Sequence, residues 1–290
     1  MTCPIEVVRG SYLKCTMSFI RLGPGVRAQA VRLAAGRSFS QEVDDRNAFW
    51  MKRSVQMKTM GDDASDEEKA AVVQAHYNEQ APEYEETLVD KWGWDTPHLT
   101  VEAWMKHEKR AQTEEKQVVY DLGCGTGLVG SELLRRGARD IALVGADFSV
   151  GPMAQIEEKR PGVYAALHQV NMNEFPHPFP DNAFDGAICS GALSYCTHFE
   201  ELWAELARVT KRDSLIAISH RTDAMAEGGG RAVIDAADSA GVLEWVEHIS
   251  EVPYLALNPD YSGGGGGASP GGATGAVTVD YIVVRNCKAE

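Results

Sequence analysis

The 290-residue sequence predicts an α/β fold, in which strands and helices alternate along the chain. Two observations carry this prediction. Residues 118–130 read as a buried strand that turns through Gly123, Gly125 and Gly127 into a helix with apolar residues at helical spacing. Four further strand patterns with intervening helices follow, so we expect a largely parallel sheet with helices on both faces.

The elements before the first strand are helical. Ser65 and Glu68 form a capping box that predicts a helix through Ala70, Val73 and Tyr77. Residues 100–109 predict a second helix, and the helix that follows the glycine turn should end at Gly137.

The elements after the glycine turn alternate and end in two strands. Strands are predicted at residues 140–146, near 165–170, within 179–193, at 214–219, within 245–257 and from 277 to about 285. Thr197 and Glu200 predict a capping box for the helix after the fourth strand, and residues 231–240 predict another helix. The glycine-rich residues 262–275 predict a mobile connection between the last two strands.

Charge is distributed unevenly along the chain. The total is -14, yet residues 1–60 carry 10 basic and 4 acidic side chains. The acidic remainder should repel a phosphate backbone, which argues against a nucleic-acid partner. No apolar run reaches the length of a membrane span. The six cysteines form no Cys-x-x-Cys pair and no cluster with histidine, so we expect a reduced compartment and no metal.

The first 60 residues are predicted to lie outside the folded domain, which we place at 61–290. Residues 17–40 resemble an organelle transit peptide, because they contain spaced arginines, serines and no acids. This resemblance implies a mitochondrial or plastid location. The alternative is an untargeted disordered extension on a cytoplasmic protein.

The strand, glycine turn and helix start together predict a nucleotide pocket. The spacing Gly125-x-Gly127-x-x-Gly130 fits a dinucleotide fingerprint, but Asp121 would repel a pyrophosphate and suits an ammonium group. Asp147 follows the second strand, 20 residues after Gly127, where a carboxylate can accept both hydroxyls of a ribose.

The motif Asp-Leu-Gly-Cys-Gly-Thr-Gly at residues 121–127 resembles the first motif of class I S-adenosylmethionine-dependent methyltransferases. The resemblance extends over residues 67–285 and implies their seven-stranded Rossmann-like sheet with the last strand antiparallel. The stretches at 77–84, 121–130, 190–194 and 221–222 are more closely similar to the methyltransferase-like proteins of the Williams–Beuren region.

This resemblance implies S-adenosyl-L-methionine as the cofactor and in-line transfer of its methyl group to a nitrogen, oxygen or sulfur atom of a small molecule. The residues expected to contact the cofactor are Tyr84, Asp121, Gly123, Cys124, Gly125, Gly127, Asp147, Phe148, Asn171, Met172 and Ser190. The residues expected to border the acceptor are Tyr195, His198, His220 and Arg221. Three alternatives stay open: a non-catalytic cofactor-binding protein, a protein methyltransferase and, as a distant third, a nicotinamide-dependent oxidoreductase.

Overall fold

Seven strands pair into one sheet in the computed structural model of the chain, which describes residues 65–109, 116–227, 230–258 and 277–289. The strands in chain order are β1 (Gln117–Leu122), β2 (Ile141–Asp147), β3 (Tyr164–Gln169), β4 (Phe184–Cys189), β5 (Thr210–Arg221), β6 (Leu243–Pro253) and β7 (Thr278–Asn286). Their order across the sheet is β3-β2-β1-β4-β5-β7-β6. The first five strands are parallel, whereas β7 runs antiparallel to both β5 and β6. The predicted sheet with its last strand antiparallel is confirmed.

Helices cover both faces of the sheet. They are α1 (Asp66–Gln80), α2 (Thr96–His107), α3 (Leu128–Arg135), α4 (Val150–Lys159), α5 (Phe199–Val209), α6 (Thr222–Glu227) and α7 (Gly230–Ser239). A π-helical segment (Glu86–Lys91) lies between α1 and α2, and a short 3₁₀ turn (Leu193–Tyr195) follows β4.

Two hydrophobic layers lie on opposite faces of the sheet, as the alternation along β5 shows. Ile216 and Ile218 pack in the layer under α5 and α7, whereas Leu215 and Ala217 pack in the layer under α2 and α3. A strand whose neighbouring residues are all buried is covered on both sides. The predicted covering of both faces is therefore confirmed.

Helix starts follow local chemistry in one case and depart from it in another. The Ser65 hydroxyl accepts the Glu68 amide at 3.2 Å, which confirms the capping box of α1. The predicted capping box at Thr197 is wrong, because α5 begins after His198 and has no side-chain cap. The Thr197 hydroxyl bonds His198 Nδ1 at 2.9 Å instead. The Thr197 side chain therefore bonds its neighbour in the chain instead of capping the helix.

Other element bounds differ modestly from the sequence prediction. The second helix begins at Thr96 rather than residue 100, with Pro97 in its first turn, where a missing amide costs nothing. Gly137 lies just beyond α3 at φ +87°, as expected of a residue that ends a helix. The six-residue α6 was not predicted, because so short an element shows no periodicity.

Two predicted features lie outside the described residues: the basic extension at 1–60, with the domain boundary after it, and the glycine-rich connection at 262–275. Both stay predictions. None of the described helices is long and apolar enough to span a membrane.

The two-layer core predicts that two isoleucines on strands contribute very differently to the free energy of unfolding. Ile216 on β5 is fully buried, whereas Ile249 on β6 is 40% exposed. We expect Ile216→Ala to lower the free energy of unfolding by about 2–5 kcal/mol, because it removes buried apolar surface and leaves a cavity. The matched control Ile249→Ala should cost at most about 1 kcal/mol. Urea denaturation measures both, and equal losses would contradict this assignment of the core.

Candidate functional site

A cavity of about 440 Å³ opens at the carboxyl ends of β1, β2 and β4, the edge at which open α/β sheets bind ligands. Most of the predicted site residues line it, from both the cofactor group and the acceptor group. They are Tyr84, Gly123, Cys124, Gly125, Asp147, Phe148, Asn171, Met172, Ser190, Tyr195 and Arg221. Four others, Asp121, Gly127, His198 and His220, do not line it.

The glycine turn after β1 forms the floor of the cavity. Gly123, Gly125 and Gly127 have φ values of +74°, +51° and +89°, which side chains rarely adopt. A Cβ atom on Gly123 would lie 2.4 Å from the Cβ of Ala192 in the loop after β4. Gly127 lies at the start of α3 and does not itself line the cavity, and a Cβ there would meet Ile156, Tyr164 and Arg160. Its predicted contact with the cofactor stays a prediction.

Asp147 connects the end of β2 to the glycine turn. Its Oδ2 accepts the Gly125 amide at 2.9 Å and its Oδ1 accepts the Ser149 amide at 2.8 Å. Burial raises the pKa of this carboxyl, while the amide hydrogen bonds lower it. Each carboxylate oxygen has a further lone pair, so Asp147 can still accept ligand hydroxyls.

Asp121 lies beneath the cavity rather than in its wall. The side chain is fully buried, and Oδ2 accepts the Tyr164 hydroxyl at 2.5 Å. Among the described residues, none bonds Oδ1. Burial raises the pKa of Asp121 from 3.8 to about 7. Because the strand end buries this side chain under the turn, Asp121 does not line the cavity, and its predicted contact with an ammonium group stays a prediction.

Phe148, Asn171 and Met172 lie together on the β2–β3 side of the cavity. The Phe148 carbonyl accepts a hydrogen bond from Gln74 Nε2 of α1 at 2.8 Å, which fixes the backbone of this wall to α1. Asn171 Oδ1 accepts the Asn173 amide at 3.1 Å. The polar and apolar side chains expected to flank an adenine are therefore brought to one place.

Aromatic rings form the roof of the cavity. Tyr77, Tyr84, Trp94, Tyr195 and Tyr254 all line it. The Tyr77 and Tyr195 hydroxyls are 2.7 Å apart, and the Tyr84 and Trp94 rings meet edge to face at 5.9 Å. Trp94 and Tyr77 carry no sequence signal that separates packing from contact with a ligand. Tyr254 was missed, because it follows β6 in a loop without pattern.

The acceptor side contains only two of its four predicted residues. Tyr195 and Arg221 line the cavity, and Arg221 donates through Nε to Asp223 Oδ1 at 2.9 Å. His220 is 4% exposed and packs against Phe199 at 5.2 Å. Burial lowers the pKa of His220 to about 4, so the ring is neutral. Its predicted place at the acceptor is wrong, because its side chain points into the core.

Residues 120–218 match the model of the methyltransferase domain family. Human methyltransferase-like protein 27 is 29% identical over 175 residues, which are 58% of this chain and 66% of that protein. Arabidopsis thaliana 24-methylenesterol C-methyltransferase 2 is 27% identical over 67% of this chain and 55% of its own length. The chain thus spans less than two thirds of either relative.

The fold is also that of solved methyltransferases. The magnesium protoporphyrin IX methyltransferase from Synechocystis PCC 6803, solved with bound S-adenosylmethionine, superposes with a TM-score of 0.51 at 12% identity and covers 78% of this chain and 100% of its own. Residues 120–218 are therefore identified as a methyltransferase domain, and the sheet that contains them has the class I methyltransferase fold. The match to the human protein agrees with the closer resemblance to the Williams–Beuren region group.

S-adenosylmethionine is the cofactor of this enzyme family, and the residues of the cavity fit it. A Cβ on Gly125 would meet only the Gly123 carbonyl, at 4.0 Å, so the turn is open to a ligand there. Asp147 presents a carboxylate for ribose hydroxyls, and the wall at Phe148 and Met172 is suited to a planar base. The site therefore fits the ribose and the adenine of the cofactor.

The close approach of Gly123 to Ala192 predicts that Gly123→Ala abolishes measurable binding of S-adenosylhomocysteine, because the turn and the loop at Ala192, which both line the cavity, must move apart. The matched control is Gly137→Ala, which has a similar positive φ but no neighbour within 4 Å of its added Cβ. The control should cost about 1–2 kcal/mol of stability and leave binding unchanged. Titration calorimetry checks both, and unaffected binding in Gly123→Ala would contradict the described turn.

The buried carboxyl of Asp121 predicts a pH dependence of stability. Because its folded-state pKa of about 7 exceeds its ordinary value of 3.8, the unfolded chain loses the proton first as pH rises. This term in the unfolding free energy should therefore fall between about pH 4 and 7, by on the order of 4 kcal/mol. Asp121→Asn should remove this slope in urea denaturation, whereas the exposed control Asp140→Asn should keep it. An unchanged slope in Asp121→Asn would contradict the assignment.

Proposed function

We propose that the chain transfers the methyl group of S-adenosylmethionine to a nitrogen, oxygen or sulfur atom of a small molecule. One observation carries this proposal: the glycine turn with Asp147 and the aromatic roof belong to a single cavity. A cofactor bound at the glycine turn and Asp147 would therefore lie in the same cavity as the aromatic roof. The cofactor site and the acceptor site that methyl transfer needs would thus be adjacent.

Two features favour a small, largely apolar acceptor. The aromatic roof and α1 cover part of the cavity, which favours a small acceptor over a folded partner. The Arabidopsis relative is named as a sterol methyltransferase, and aromatic walls would suit an apolar substrate of that kind. Nucleic acid stays an unfavoured partner on the charge of the sequence.

The proposed mechanism relies on alignment. Bound S-adenosylmethionine supplies a methyl group that its positively charged sulfur already activates. Asp147 and the glycine turn orient the molecule, while Tyr84 and Trp94 exclude water from the reacting end. Burial raises the pKa of Tyr77 and Tyr195, so both phenols stay protonated at neutral pH. One of the two hydroxyls donates to the other, which leaves one hydroxyl proton of the pair to donate to a ligand. An acceptor that arrives without a proton to lose then needs no base.

Asp147 provides the first test. We expect the full chain to bind S-adenosylmethionine and S-adenosylhomocysteine but not NADH in titration calorimetry. Asp147→Ala should weaken binding of both sulfur nucleotides by about 1–3 kcal/mol, because ribose hydroxyls lose their acceptor. The control Asp140→Ala changes an exposed acid just before β2, at the opposite end of that strand, and should leave affinity unchanged.

The outcomes separate the alternatives. NADH binding without either sulfur nucleotide would contradict the proposal in favour of an oxidoreductase. Transfer of a labelled methyl group from S-adenosylmethionine to a small-molecule extract would support it, and transfer only to proteins would favour a protein methyltransferase. Tight binding with no transfer to either fraction would favour the non-catalytic alternative.

A further inference from the structure

Arg160, directly after α4, bridges the roof of the cavity to the glycine turn. Its two terminal nitrogens donate to the two carboxylate oxygens of Glu85, each at 2.8 Å. The same guanidinium donates to the Thr126 carbonyl at 3.0 Å and to the Ser131 hydroxyl. One side chain thus joins the segment at Glu85, the glycine turn and α3.

The Arg160–Glu85 pair is shielded enough from water to be strong. The Arg160 and Glu85 side chains are 13% and 21% exposed. Two parallel hydrogen bonds from a planar guanidinium to a carboxylate fix direction as well as distance. Burial alone would raise the pKa of Glu85, but the hydrogen bonds from Arg160 lower it, so the carboxylate is charged at neutral pH.

Arg160 reaches the site only through its neighbours. It does not line the cavity, whereas Tyr84, next to Glu85 in the chain, does. The Arg160 Cδ atom lies 3.2 Å from the place of a Cβ on Gly127, so the arginine stem packs against the turn. The Arg160–Glu85 pair therefore sets the distance between the segment at Tyr84 and the glycine turn.

We propose that Arg160 is a positioning residue: by holding Glu85 against the glycine turn, it places the Tyr84 ring over the cofactor. This inference rests on the proposed function, because Tyr84 must contact bound cofactor for its placement to matter. A residue that acts through Tyr84 loses its effect once that ring is gone.

The test is a double-mutant cycle on the dissociation constant of S-adenosylhomocysteine, measured by calorimetry with the full chain. We expect Arg160→Gln to raise the dissociation constant about 10-fold and Tyr84→Ala to raise it by a similar factor. The double variant should bind no more weakly than the weaker single variant. Arg160→Lys, which keeps the charge but loses the two parallel bonds, should lie between wild type and Arg160→Gln.

Arg136→Gln is the matched control, because Arg136 likewise links separate segments through its guanidinium without lining the cavity: it pairs with Glu102 of α2 and Glu132 of α3. It should lower the melting temperature and leave the dissociation constant unchanged. This control separates a general loss of stability from a loss of placement.

The outcomes distinguish this inference from the function beneath it. Wild-type chain that fails to bind S-adenosylhomocysteine would remove the proposed function itself. Wild-type binding with an unchanged dissociation constant in Arg160→Gln, or with additive effects in the double variant, would overturn the positioning role alone. If Arg160→Gln does not fold, Glu85→Gln breaks the same pair from the roof side and should show the same coupling to Tyr84→Ala.

Discussion

The close approach of backbone segments above the sheet is the constraint on which the cavity depends. The turn at Gly123 contacts the loop at Ala192, and the next residue of that loop toward β4, Gly191, contacts the ring of Trp94 so closely that a Cβ there would lie 2.5 Å from it. Side chains at these glycines would separate the segments and open the pocket. Parallel strands make this possible, because β1 and β4 end side by side and deliver both loops to one edge.

Two carboxyl groups at this edge of the sheet differ in their hydrogen-bond partners and in their exposure to the cavity. Asp147 accepts two backbone amides, which offsets the cost of burying its charge, and it remains in the cavity wall. Asp121 receives a single phenol hydrogen bond in a fully buried position, and its pKa rises accordingly. A carboxyl group that can accept ligand hydroxyls and a buried structural acid with a pKa of about 7 therefore lie within one short stretch of sheet.

The sequence predicted what depends on local chemistry and on chain order. The strands, the capping box at Ser65 and the residues of the glycine turn follow from periodicity and spacing, and the turn and Asp147 meet because consecutive parallel strands end together. It did not predict features that depend on three-dimensional packing. The side chain of His220 points into the core although its position in the chain is at the ligand edge, and the pairing of Arg160 with Glu85 joins residues far apart in sequence. No spacing rule reports such contacts.

The place of β7 between β5 and β6 has a consequence for how the chain is made. In the sheet, β6 pairs with β7, a strand that comes later in the chain. While the ribosome is still adding residues 254–277, β6 has no strand partner and the outer edge of β5 is also open. Unpaired strand edges are sites of wrong association. Translation thus passes through an interval in which the nascent sheet needs protection, and it ends only when β7 emerges.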